Sequence, residues 1–270
     1  MSQDARGEDG TQAEDDAASD EGGPTPPRRW RADARHRQRL QRLTQHDFGA
    51  ECMSAAEKIN THGLSRDIPD PVKREVRKRC GFGCISCGNA IYQYEHLNPT
   101  FADAAKHDPN CIVLLCGACH DRVTRGLLSK RSMKEIAKNP KCTESGFSFG
   151  PFDVGCDPPE IMLGTILARN AKTLIRICGD DVFSISQPED SGGPFRLDAR
   201  FFDANSKAIL DIVANEWRSS AENWDVEVVG SRISIRKALG VFALILRSEP
   251  PGRLVIERME MNHKGISISC

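Results

Sequence analysis

Apolar positions fall into three regimes along the chain. Residues 1–27 contain almost nothing to bury, being rich in Asp, Glu, Gly, Ala and Pro, and read as a disordered acidic tail ending at "GGPTPP". Between 28 and about 145 the apolar residues come in short groups of mixed period. Beyond 150 they alternate with polar ones in "TLIRI", "VFSIS", "FRLDARFF", "AILDIVA", "WDVEVVG", "RISIR", "VFALILR", "RLVIERMEM" and "GISIS", separated by turn chemistry such as "CGDD", "DANS", "ALG", "SEPPG" and "NHKG". Some eight or nine short strands at this spacing predict an all-β antiparallel sandwich or barrel-like domain over 150–270. No cluster of His, Cys or carboxylates in that region looks catalytic. Tryptophans at "NEW" and "NWD" read as core plugs.

The middle of the chain predicts helices and two further strands. "RRWRADARHRQRLQRL" opens an Arg-rich arm and helical linker over 28–65, suited equally to phosphate contact or to a solvated linker. In "DIPDPVKREVRKRCGFG", Asp70 is placed as N-cap, Pro71 as first helical residue and Gly81 as terminator. Val72 and Val76 form the inner stripe of this helix, leaving Lys73, Arg74, Arg77, Lys78 and Arg79 for an outward basic face. "AIYQYEHL" and "CIVLLC" read as strands joined by a polar segment, with a helix starting near Cys119. The predicted fold class is therefore α+β, a helical and ββα region over 66–145 followed by the β-rich domain.

Charge sharpens this division. Residues 1–27 hold eight acidic residues against Arg6 alone, a net −7, whereas 28–130 hold eighteen Lys and Arg against eleven Asp and Glu, a net +7. A polyanion is expected to bind the basic middle, and the acidic tail is placed to compete for it. The start, MSQDARGEDG, lacks the basic and apolar segments of a secretory signal, and no run approaches the roughly 20 apolar residues of a membrane span. A cytoplasmic location without membrane association is the expectation.

In a reducing compartment, eleven cysteines argue for metal or catalysis rather than disulfides. Cys84 and Cys87 form one CxxC pair, Cys116 and Cys119 another. Such turns aim two thiolates at one ion, and two of them complete the tetrahedral sulfur shell of a structural Zn²⁺. The 28 residues between the pairs exceed the spacing of a common zinc ribbon and enclose "EHLNP" and "DPNCIVLLCGACH".

These residues, with "DRVTRG" after them, resemble the HNH endonucleases in their zinc-stapled form, over about residues 66–130. The resemblance implies His96 as general base, Glu95 and His120 as ligands of a catalytic divalent cation such as Mg²⁺, and the four cysteines as the structural zinc shell. It implies Asn110 as the loop-bracing residue, one place earlier than usual because Cys111 occupies the common Asn position. Glu95 stands where Asp or His is frequent, and Thr124 where some members carry a further His. Because Glu95 and His96 are adjacent, an extended backbone points them to opposite faces, so a distorted loop is expected to redirect one of them.

Two functional readings follow. The first is a metal-dependent endonuclease hydrolysing phosphodiester bonds of double-stranded DNA, with Lys73, Arg74, Arg77, Lys78, Arg122 and Arg125 on backbone phosphates. The second is a noncatalytic zinc-stabilised adaptor that binds nucleic acid or protein, with the β domain meeting a protein partner.

Overall fold

The computed structural model describes residues 59–270. The acidic tail and most of the Arg-rich arm lie outside them. Each alternating segment of the second half is a strand. One sheet has six strands: β3 (Phe147–Pro151), β10 (Glu216–Ser220), β9 (Ala208–Val213), β8 (Arg196–Phe202), β7 (Asp180–Ser186) and β6 (Thr173–Ile177), in that order. A second sheet of seven runs β11 (Asp225–Val229), β12 (Arg232–Ala238), β13 (Val241–Glu249), β14 (Arg253–His263), β4 (Glu160–Leu163) and β5 (Ile166–Ala168), with β15 (Ile266–Ser269) also on β14. Among the strand pairs of the described residues only β4 against β14 is parallel, so the antiparallel expectation holds with that exception. There is no closed barrel among the described residues.

The inward residues of both sheets share one core, in which Phe183, Phe201 and Leu210 meet Ile233, Leu244 and Ile256. Fully burying such a side chain contributes about 1.5–3 kcal/mol before entropy is counted. The turns use the left-handed conformations their sequences offer, as at Cys178 and Gly179 (φ 47° and 89°) and at Lys264 and Gly265 (φ 51° and 80°). Trp217 is the expected core plug at 3 % exposure, whereas Trp224 is only half-buried.

A second, smaller core gathers Ile68, Val76, Ile85, Leu97, Ile112, Leu114 and Met133. Around it lie α1 (Asp70–Arg79), the two-stranded sheet of β1 (Gln93–His96) and β2 (Ile112–Leu115), α2 (Gly117–Thr124) and α3 (Lys130–Ile136). Helix α1 ends as its sequence requires, Gly81 taking φ 69° just past Cys80. Its start differs by one residue, because Pro69 occupies the cap, Asp70 is the first helical residue, and no side chain caps the turn.

The basic face of α1 is the larger correction. Arg74, Arg77 and Lys78 reach toward the second sheet, while Lys73 pairs with Asp67. Arg77 is 4 % exposed, donates from Nε and Nη2 to Asp225 at 2.9 and 2.8 Å, and reaches Glu227 and Tyr94 from Nη1, both at 3.1 Å. Arg74 lies over the Trp224 ring at 3.6 Å, and Lys78 Nζ donates to the Asn223 carbonyl at 2.7 Å. The physical reason is that β11 presents the carboxylates of Asp225 and Glu227 to α1 and the turn before it presents free carbonyls, so the guanidinium exchanges water for bidentate, charge-assisted hydrogen bonds. The smaller core is also stitched to the first sheet, where Ala90 N donates to Phe149 O at 2.8 Å.

Candidate metal centre and active site

Two tight turns bring the cysteine pairs together. Gly88 N donates to Cys84 O at 2.9 Å and Cys84 N to Asn89 O at 2.8 Å, folding the first pair into a knuckle. Gly88 takes φ 89°, which allows the chain to double back. Cys116 occupies the N-cap position of α2 and Cys119 sits in its first turn, where the exposed N–H groups favour thiolate. The Sγ atoms of Cys84, Cys87, Cys116 and Cys119 all lie within 4.8 Å of one another, and Cys87 and Cys116 Sγ are 3.6 Å apart. Zn–S bonds of about 2.3 Å in a tetrahedron require S···S distances of about 3.8 Å, so the cluster can hold a zinc ion. Burial pushes the Cys119 thiol up to about 11, with the neighbouring Cys84 adding to it, and pushes Cys87 higher still. A divalent cation reverses that cost by making the thiolate the favoured form. Cys80 and Cys142 are buried and do not belong to the four-sulfur cluster, although Cys142 Sγ donates to the Gly88 and Cys84 carbonyls at 3.6 and 3.8 Å.

Beside this cluster, Glu95 and His120 meet. Glu95 Oε2 lies 3.2 Å from His120 Nε2, the first from β1 and the second from α2. Lys130, at the start of α3, places Nζ 3.3 Å from Glu95 Oε1 and donates to the His96 carbonyl at 3.0 Å. Helix α3 begins there because Ser129 accepts from Ser132 N at 3.0 Å.

His96 ends β1 and is 7 % exposed. Its Nε2 is 3.2 Å from His107 Nδ1, and the Phe101 ring packs edge-on at 5.6 Å. Burial holds the His96 imidazole below its ordinary value; the nearby His107, Lys130 and Arg66 act the same way, against Glu95. Both Glu95 and His96 keep regular pairing with β2, opposite Val113 and Ile112, so the expected loop distortion is absent. Even so, both border one cavity of about 260 Å³, completed by Arg66, Asp67, Lys73 and Lys130.

The remaining predicted residues divide. Lys73 borders that cavity but is engaged by Asp67 at 2.9 Å, while Arg122 on α2 and Arg125 just past its end are exposed, Arg125 pairing with Asp121 at 2.8 Å. Arg77 is withdrawn from any surface role, as are the inward faces of Arg74 and Lys78. Asn110 is exposed, and among the described residues its side chain has no partner. The loop is held instead by Leu97 N on Cys111 O at 2.8 Å, and by Arg79, whose Nη2 donates to Pro109 O at 2.9 Å and also to Ile112 O.

No protein-family model, no curated protein and no solved structure matches the chain.

Sequence reading missed Lys130, His107 and Arg66. Lys130 carried a usable signal, since "SKRS" is a capped helix start that aims its first basic residue back toward the preceding strands. His107 gave none, lying in an irregular loop.

Proposed function

We propose that the chain is a metal-dependent endonuclease that hydrolyses phosphodiester bonds of double-stranded DNA through an HNH-like site. The observation that carries this reading is the meeting of Glu95 and His120 from separate elements, beside His96 and a cavity flanked by Arg66, Lys73 and Lys130. The donor set suits a hard divalent cation. A carboxylate and one imidazole leave room for water and a phosphate oxygen, and such an ion, when bound, stabilises charge on the phosphorane-like transition state and the departing 3′ oxygen. His96, kept neutral near pH 7, takes the proton of the attacking water. Lys130 fixes the strand end that presents His96, and with Arg66 it offers positive charge to the scissile phosphate. The four cysteines would hold a structural Zn²⁺ that fixes α2, and thereby His120, against β1.

One observation favours a noncatalytic adaptor. Three of the cations offered to DNA by sequence, Arg74, Arg77 and Lys78, are engaged with β11 and the turn before it. The readings separate on His96→Ala. A nuclease loses cleavage while keeping zinc content and DNA affinity, and an adaptor has no cleavage to lose.

A further inference from the structure

The second histidine beside His96 is not explained by the reading above, and its hydrogen bonds have a direction. His107 Nε2 lies 2.9 Å from the Ser65 backbone carbonyl oxygen, an acceptor with no proton to give. His107 Nε2 therefore carries the proton. In a neutral imidazole the other nitrogen then holds a lone pair, so His107 Nδ1 accepts, and His96 Nε2, 3.2 Å away, must donate. That leaves Nδ1 of His96 as its only basic nitrogen.

Among the described residues His96 Nδ1 has no hydrogen-bond partner. His96 also borders the cavity shared with Glu95 and Lys130. Both ends of the residue are held, the ring by His107 and Phe101, the carbonyl by Lys130.

We infer that His107 is a positioning residue, a relay from the Ser65 carbonyl that fixes His96 as the Nε2–H tautomer and leaves its Nδ1 to take the proton of a water attacking a phosphodiester. This rests on the nuclease reading for its catalytic consequence but not for the tautomer. Water gives its proton to Nδ1, its oxygen bonds to phosphorus, and the 3′ oxygen leaves with the electron pair of the broken P–O bond.

The test uses the full zinc-loaded chain labelled with ¹⁵N-histidine at pH 8, with long-range ¹H–¹⁵N spectra to assign each ring's tautomer and plasmid nicking alongside. His107→Asn places an amide oxygen near the position of Nδ1 and keeps an acceptor for His96, while His107→Phe keeps a ring and removes both bonds. Wild type and His107→Asn should show His96 protonated on Nε2. His107→Phe should show mixed tautomers and a kcat lower by about 10- to 100-fold at unchanged KM, the scale on which an orienting partner of a functional imidazole acts. Proton on Nδ1 of His96 in the wild type, or wild-type kcat in His107→Phe with its zinc content intact, overturns the relay. A wild type with the Nε2–H tautomer that cuts no DNA overturns the nuclease reading and the catalytic role with it. A wild type that cuts but carries Nδ1–H overturns the role of His107 alone.

Discussion

Replacing Arg77 with Ala separates a structural cation from a DNA-binding one. The guanidinium makes two bonds to Asp225, whose side chain is 2 % exposed, and one each to Glu227 and Tyr94. Removing one member of such a buried pair costs about 3–5 kcal/mol, because the partner charge stays buried. Asp225 would not be left bare, since Arg236 Nη1 still donates to its Oδ2 at 2.8 Å and Arg236 Nη2 to Glu227 at 2.7 Å. The low end, about 3 kcal/mol, is therefore expected, roughly a hundredfold or more in the folding equilibrium. Urea unfolding followed by tryptophan fluorescence reads this as a lower midpoint at unchanged slope, Trp224 lying against α1 through Arg74. DNA binding titrated against salt should keep its wild-type slope. A stability loss below about 1 kcal/mol, the value of an exposed pair, refutes the buried linkage. A salt slope shallower by about 0.9 would assign Arg77 to a phosphate after all.

Cys84→Ser and Cys119→Ser should each abolish zinc retention, measured by metal analysis, and raise hydrogen exchange across 84–124 while the strands of 196–261 stay protected. Because the His96 pKa is lowered and the base acts when neutral, the midpoint of the acid limb of the pH–rate profile should lie below 6.5; a midpoint above 6.5 contradicts the burial argument. Deleting residues 1–27, with their net −7, should tighten DNA binding in a filter or anisotropy assay at low salt, with the gain vanishing as ionic strength rises. Equal affinity at all salt concentrations removes the tail from the account.

What the sequence made legible depended on the distance over which each feature is decided. Strands such as β8 and β14 were readable because alternation is local and the turns between them carry Gly, Asn, Asp or Pro. β10 was not, since "EWRSS" has one apolar residue and is recruited by its neighbours β3 and β9. β3 hid for a similar reason, with Gly150 and Pro151 at its end; Gly150 is needed because any Cβ there would lie 2.9 Å from the Trp217 ring. The cysteine cluster was legible because each knuckle is four residues long. The fate of Arg77 was not, because its partner lies 148 positions away and a basic helix face looks the same whether it meets carboxylates or solvent. The resemblance to the HNH endonucleases implied that Glu95 and His120 share a site, whereas the contacts of His107, 11 and 42 positions from its partners, depend on how one irregular loop packs.

Plasmid nicking by the purified zinc-loaded chain, in Mg²⁺, Mn²⁺ or EDTA, tests the proposed activity most directly. Nicking should require the added divalent ion, stop in EDTA, and disappear in His96→Ala while that variant still binds the plasmid. Intact supercoiled DNA with every ion, from a folded sample carrying its zinc, would contradict it and leave the adaptor as the reading that fits.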